Sequence, residues 1–403
     1  MTVQQFAVTV TTDILKKGFL VSTPKSHGYR IPAEFEKHRR TWMIWPERSD
    51  VWRDNAAHAQ HAYTVVAEKI AEFEPVTMCV SQKEWKRARG VLPPTIRVIE
   101  MSNNDAWARD QGPIFVVDEY GNVSGVNWRF NAWGELYKPY DHDQLIAKWG
   151  ELYKPYDHDQ LIAKKVLEIE QVERHEGPMV LEGGSIEVDG EGTLITTEEC
   201  LLNPNRSPDL TRQEIEKNLR DYLGIEKIIW LPRGVYMDSD TGGHIDNLCR
   251  FVHPSILVLT WTEDKNDPQY EISNEAFQRL VKEKDTRGRS FIVLKIPQPK
   301  PLFRTKKETD GLAVTENTAP RVVGSRLPAS YINFYITNGG VLMPVFNDPP
   351  RDLGALKILQ GIFPYRGVVP IYSREILLGG GNIHCITLQQ PLGNGLPRKA
   401  GCG

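Results

Sequence analysis

Apolar periodicity along the chain returns about five times to one order of elements: strand, strand, helix, strand. The first pass has Thr41–Trp45 closed by Pro46, a helix over 55–73 with Ala, Val, Ile and Phe at helical spacing, and apolar runs at 76–80 and 96–100. The second has strands at 113–117 and 123–130, a helix ending near Glu170 and a strand at 179–181. The third reads as strands 185–188 and 193–197, helix 211–223 and strand 227–231. The fourth is 244–252, 256–261, helix 271–284 and 291–295, and the fifth 331–337, 340–344, helix 352–363 and 368–372. These units share no obvious sequence identity, so what recurs is the hydrophobic pattern. A radial α/β arrangement accommodates 403 residues with no visible linker, in one domain. Polar residues at strand ends far apart in sequence can then meet in a central pocket.

Charge and cysteine usage narrow the partners. The formal net charge is −3 with both signs nearly balanced, so no basic surface calls for nucleic acid or an anionic membrane. No run has the apolar length of a bilayer span, and residues 1–25 alternate apolar and polar types without the core of a secretory signal. Cys79, Cys200, Cys249, Cys385 and Cys402 are scattered, with no CxxC pair and no metal-ligand spacing. Reduced thiols, a cytoplasmic location and no metal or cofactor are the expectations.

One true repeat is present: residues 133–148 and 149–164 both read WGELYKPYDHDQLIAK. Identity without drift marks a recent tandem duplication or an assembly artefact. The second copy runs into Lys165–Glu170, so a helix over 157–170 is expected, with the first copy extruded at the surface.

Four segments place polar residues where a buried strand would be apolar. Gly379-Gly380-Gly381 precede Cys385 and let backbone approach a ligand closely, which makes Cys385 a nucleophile candidate. In an extended segment His384 would face away from it. Trp107 and Asp110 flank Arg109 just before a strand, although a solvated Asp–Arg pair would also explain that loop. Glu182 follows an apolar strand and precedes two glycines. His244 and Asp246 are two apart at a strand's start, where they would share a face.

Placed in one pocket, Cys385, His244, Glu182, Asp110 and Asp246 suggest a particular chemistry. So many acids raise the pKa of a thiol and waste it, unless the substrate is itself a cation. A planar guanidinium fits, because carboxylates grip it through paired N–H···O bonds and hold its carbon over sulfur. A histidine titrating near neutrality could protonate departing ammonia and then activate water.

The segments WARDQGP, WRFNAWG, LEGGSIEVDGEG, GHIDN, SYINFYITNGG and GGGNIHCIT resemble the agmatine deiminases, a branch of the guanidino-group-modifying pentein superfamily. The resemblance covers about residues 28–391, leaving 1–27 as an extension and 392–403 as a tail. It implies a five-bladed α/β propeller of ββαβ units, and hydrolysis of agmatine to N-carbamoylputrescine and ammonia in polyamine synthesis. By resemblance Cys385 is the nucleophile, His244 the acid and base, and Asp110 and Asp246 the guanidinium clamps. Glu182 would orient His244 and contact the guanidinium, Trp107 would wall the alkyl chain, and Gly380 and Gly381 would border the substrate. Asp240 stands where the family places an acid near the distal amine, and the resemblance agrees with a homodimer or higher oligomer. Gly242 replaces an expected Asn or Asp ahead of Gly-His, and a Gly-rich stretch expected after Gly134 is replaced by the duplicated segment. The alternatives are an arginine deiminase, an amidinotransferase, or a pentein scaffold inactivated by the duplication. Acids at Asp238 and Asp240 favour a substrate ending in an amine.

Overall fold

The computed structural model describes residues 22–134, 155–313 and 321–394. Five of the six sheets share one plan: the first strand pairs antiparallel with the second, and a further strand joins the second in parallel. Ile114–Val117, Val123–Arg129 and Glu173–Val180 make one such sheet. Ile186–Val188, Thr193–Thr197 and Lys227–Leu231 make the next. Cys249–His253, Ile256–Trp261 and Ile292–Pro297 follow, then Tyr335–Ile336, Gly340–Val345 and Gly367–Tyr372. The last sheet closes the ring with both ends of the described chain. In it Leu388–Pro391 pairs antiparallel with His38–Ile44, which pairs parallel with Val76–Val80, and that with Arg97–Glu100. The architecture is the expected α/β propeller of five repeating units.

Local sequence explains the elements. Val76–Val80 is buried along its whole length, as an apolar strand with neighbours on both edges requires. In the helix Arg212–Leu223 the residues Ile215, Leu219 and Leu223 recur every four positions and are all buried. Its start is fixed by Thr211 and Glu214, which cap each other's backbone N–H groups, and its end by Gly224 at φ 68. One large apolar cluster gathers Trp42, Trp45, Trp52 and Tyr63 and includes Cys385 itself. None of the helices among the described residues is long and apolar enough to cross a membrane.

Three expectations need correction. The segment 244–252 is not one strand: Ile245–Asn247 forms a 3-10 turn before Cys249–His253. The strand expected over 331–337 shrinks to Tyr335–Ile336, and 179–181 proves to be the end of a longer strand, Glu173–Val180. In the first two places the chain enters the propeller centre, where polar contacts outweigh apolar pattern; in the third an edge strand is extended by exposed polar residues that carry no apolar signal. The duplication is described only at its outer ends. Trp133 and Gly134 of the first copy are in place, and the tail of the second forms Asp159–Leu161 and the helix Ile162–Glu170, close to expectation. The extrusion expected of the first copy falls on residues 135–154, outside the described ones.

Candidate active site

The fold places the site by one repeated device. Ahead of each unit's first strand the chain makes a short turn whose polar residues face the centre. Asp110 lies in the turn Ala108–Gln111 before Ile114, and Glu182 opens the turn Gly183–Ser185 before Ile186. His244 and Asp246 lie in and beside Ile245–Asn247 before Cys249. Asn333 precedes Tyr335, and Cys385 precedes Leu388. Five units thus deliver one turn each to the axis.

The turns are bound to one another. Asp110 accepts from Gly184 N at 3.0 Å and Trp133 Nε1 at 2.9 Å, and the backbone N–H of Arg109 donates to the Cys385 carbonyl at 3.1 Å. Asn333 accepts from the His384 N–H at 3.0 Å, and its Nδ2 lies 3.5 Å from Cys385 Sγ. Cys385 Sγ is also 3.5 Å from Asp246 Oδ2, to which His384 Nδ1 comes within 2.8 Å. His384 and Cys385 therefore converge on one carboxylate. Facing apart requires an extended segment, and residues 383–386 form a turn.

Glycine is needed where the turns meet. A Cβ on Gly184 would lie 2.6 Å from His244 Nδ1 and 3.0 Å from Asp110 Oδ1, and one on Gly381 would lie 3.0 Å from Cys385 Sγ and 2.5 Å from the Trp107 ring. Gly380 borders Asp240 rather than the sulfur. Gly242 has φ +69, a conformation that Asn and Asp adopt more readily than other residues, so its departure from the family pattern keeps the turn.

Behind the sulfur lies a buried ionic cluster absent from the sequence reading. Glu34 Oε2 is 2.8 Å from His384 Nε2 and 3.0 Å from Arg109 Nη2, and Glu34 Oε1 is 2.9 Å from Arg250 Nη2. Arg109 is therefore turned inward and does not pair with Asp110 in solvent. Arg206, also buried, donates to Glu182 Oε1 at 2.7 Å, to the Trp133 carbonyl at 2.6 Å and to the Thr241 carbonyl at 2.5 Å. Nothing in its local sequence marks Arg206. Asn333 had a signal: it occupies, ahead of its unit's first strand, the place that Asp110 and Cys385 occupy ahead of theirs.

Environment separates the titrations. Burial, then the charges of Asp246 and Asp110, push the Cys385 thiol well above its ordinary pKa. His244 shifts upward despite burial, because Asp110, Cys200 and Glu182 together raise it to about 10. That corrects the expectation of titration near neutrality. Burial raises Asp110 above its ordinary value against the pull of His244. For Asp246 burial acts the same way, but the hydrogen bond and charge of His384 prevail and hold it below the usual value. Free, the site thus holds a thiol, an imidazolium and excess carboxylate.

Two of its buried acceptors, Glu182 Oε2 and Asp246 Oδ1, have no hydrogen-bond partner in the protein, and His244 Nδ1 faces Asp110 Oδ1 only at 4.0 Å. Such groups are costly to bury unless something satisfies them. Glu182, Cys200 and His244 bring donor atoms within 4.8 Å of one another, so the fold supplies a cysteine that sequence spacing did not. The Arg206 cation on Glu182 opposes a metal there.

A small pocket of about 20 Å³ is lined by Trp107, Trp133, Asp110 and Cys385 together with Asp240 and the Gly379–Gly381 run. Asp240 is not bare, because Arg321 Nη1 lies 2.7 Å from both its oxygens. Asp238 accepts from the Thr241 hydroxyl and N–H, so it shapes the turn rather than reading an amine.

Residues 30–391 match the family described as Porphyromonas-type peptidyl-arginine deiminase. The chain is 51% identical over 385 residues to the agmatine deiminase of Pseudomonas aeruginosa (strain LESB58), covering 94% of this chain and 99% of that one. It is 49% identical over 385 residues to the agmatine deiminase of Medicago truncatula, covering 92% and 99%. A solved agmatine deiminase of Enterococcus faecalis superposes with a TM-score of 0.86 at 44% identity, over 93% of this chain and 99% of that one. Sequence, fold and central turns agree: the chain belongs to the Porphyromonas-type peptidyl-arginine deiminase family, within its agmatine deiminase branch.

Proposed function

We propose that this chain hydrolyses agmatine to N-carbamoylputrescine and ammonia, with Cys385 as nucleophile, in a catalytic unit spanning residues 28–391. The observation that supports the residue roles is the pair of buried acceptors without a hydrogen-bond partner, Glu182 Oε2 and Asp246 Oδ1, beside a thiol that burial and then the neighbouring acids push toward the protonated form. A guanidinium supplies donors to those acceptors. Its positive charge also reverses the electrostatics at sulfur, so the thiol gives up its proton to solvent only as substrate binds.

The thiolate attacks the guanidinium carbon, forming a C–S bond and a neutral tetrahedral adduct. His244, protonated up to about pH 10, gives its proton to one amino group, which leaves as ammonia. That leaves a cationic thiouronium on Cys385 and a neutral imidazole. The imidazole takes a proton from water as the water oxygen bonds to the same carbon. Collapse then breaks the C–S bond while the adduct's hydroxyl proton passes to the departing sulfur, which restores the thiol and releases the neutral urea product. Asp110, Asp246 and Glu182 hold the cation throughout, while Trp107 and Gly381 shape the channel over the sulfur. No step requires a metal or cofactor.

The relatives' agmatine deiminase activity supports this over an arginine deiminase or an inactive scaffold. In the same reading the protein is a cytoplasmic homodimer or higher homo-oligomer, with no nucleic-acid partner. The test is ammonia and N-carbamoylputrescine release from agmatine, run beside arginine, with intact-mass detection of an adduct on Cys385. Release of neither product, with no adduct, would sink the proposal.

A further inference from the structure

One of the turns that meet at the axis has so far no part in the chemistry, the one ahead of Tyr335–Ile336. It brings Asn333, a side chain with no exposure, to the sulfur: Nδ2 lies 3.5 Å from Cys385 Sγ and Oδ1 3.6 Å from it. Its chain neighbours Tyr331, Ile332, Phe334 and Tyr335 are buried too. An amide in that setting is destabilising unless its polar atoms are engaged. Oδ1 accepts the backbone N–H of His384 at 3.0 Å. A backbone N–H can only donate, so the atom facing it is the amide oxygen, and the NH2 group is the part left to serve the sulfur.

The acids around Sγ cannot do what this amide does. Asp246 Oδ2, at 3.5 Å, accepts from a thiol, but an ionised carboxylate has nothing to donate to a thiolate and repels it. A thiolate needs donors. Two are aimed at Sγ, Asn333 Nδ2 and the backbone N–H of Asn382, and both favour the ionised sulfur against burial and the charges of Asp246 and Asp110. Asn333 Oδ1 also accepts from the thiol, so one amide serves the sulfur before and after its proton leaves, and gains or loses no proton itself.

We propose that Asn333 is a catalytic residue: its side-chain amide donates a hydrogen bond to Cys385 Sγ and stabilises the thiolate that attacks the guanidinium carbon. This rests on the reading of Cys385 as nucleophile. Because Asn333 shares the task with the Asn382 N–H, its removal weakens the thiolate without leaving it donorless. The guanidinium is gripped by carboxylates that stay in place, so the loss falls on kcat more than on KM.

The test measures agmatine turnover and, separately, the pH profile of Cys385 alkylation by 2-chloroacetamidine, a small amidinium electrophile. Wild type, Asn333→Ala and Asn333→Asp are compared. The titratable groups of the surrounding turns, Asp110, Asp246, His244, His384 and the nearby Tyr63, are common to all three. Asn333→Ala is expected to lower kcat roughly 10- to 100-fold with KM changed by less than about 3-fold. The midpoint of the alkylation profile is expected to rise by about one pH unit or more, the same loss read at the thiol itself. Asn333→Asp keeps the shape of the side chain and an oxygen for the His384 N–H but exchanges the donor for an anion. It is expected to lose at least as much activity and to raise the midpoint further. If Asn333 only braces the His384 turn, Asn333→Asp keeps turnover near wild type and neither variant moves the midpoint; either result overturns the proposal. Where Asn333→Ala fails to fold, the Asn333→Asp comparison decides alone. Wild-type turnover with unmoved midpoints removes the role of Asn333 and spares that of Cys385. A wild type that neither releases ammonia nor is alkylated at Cys385 removes the proposed function and this proposal with it.

Discussion

The two ends of the pocket are built on opposite principles. At the Cys385 end, buried carboxylates keep atoms without a hydrogen-bond partner, and the thiol is pushed toward the protonated form. At the Asp240 end the carboxylate is already clasped by Arg321. The first end is incomplete until a cation arrives, so binding and activation of the nucleophile are one event. The second end is satisfied in advance by a charge of the protein's own. The backing differs too: a buried network through Glu34, Arg109, Arg250 and His384 fixes Asp246, whereas Asp240 is held by Arg321 beside the glycine run.

The sharpest way to break this comparison is at sulfur. Cys385→Ser is expected to lower kcat by about 10⁴-fold or more with the melting temperature unchanged, since a hydroxyl in this acidic site has no route to an alkoxide. Ammonia release near the wild-type rate would remove Cys385 as nucleophile. Gly184→Ala places a Cβ 2.6 Å from His244 Nδ1. It is expected to cost roughly 10²-fold in kcat, because displacing the acid by about an ångström spoils its alignment. Full activity with an unmoved His244 NMR resonance would show that the turns are less tightly fitted than their distances imply.

Asp110→Asn tests the coupling of charge. It is expected to lower kcat/KM for agmatine roughly 10- to 100-fold, and to move the His244 titration down from about 10, as followed by NMR. Folding raises His244 above its ordinary 6.5, so its contribution to stability is complete below 6.5 and disappears as pH rises through about 10. In Asp110→Asn that loss is expected at lower pH, and an unchanged stability profile between those limits would refute the coupling. The smallest effect concerns the duplication. Because the copies are identical, removing 133–148 or 149–164 yields the same shorter chain, which keeps a Trp-Gly at 133–134 and the helix. Activity and melting temperature are expected to be unchanged within error, and a fall in either would mean that the extra copy supports the site.

Much of the site was legible in the sequence because glycines and acids beside apolar strands have few purely structural uses. Cys385, His244, Glu182, Asp110 and Asp246 were singled out as candidates on that basis, and the fold brings them together; the five-unit plan was read from periodicity. Arg206, Glu34 and Arg250 were not, because an isolated charged residue carries no mark of burial until its partners arrive from other units. The orientation of His384 was misread for a related reason. Alternation holds only for extended backbone, and the Gly379–Gly381 run lets residues 383–386 coil into a turn.

What the sequence determined was the repeating order of elements and the chemical types gathered at strand ends, because both depend on local periodicity and local composition. What only the tertiary structure decided was charge. Whether Asp240 faces a ligand bare or already held, and whether His244 titrates near neutrality or near 10, depends on Arg321, Asp110, Cys200 and Glu182 meeting through space. Electrostatic energy falls with distance and rises with burial, and neither quantity exists until the chain has folded.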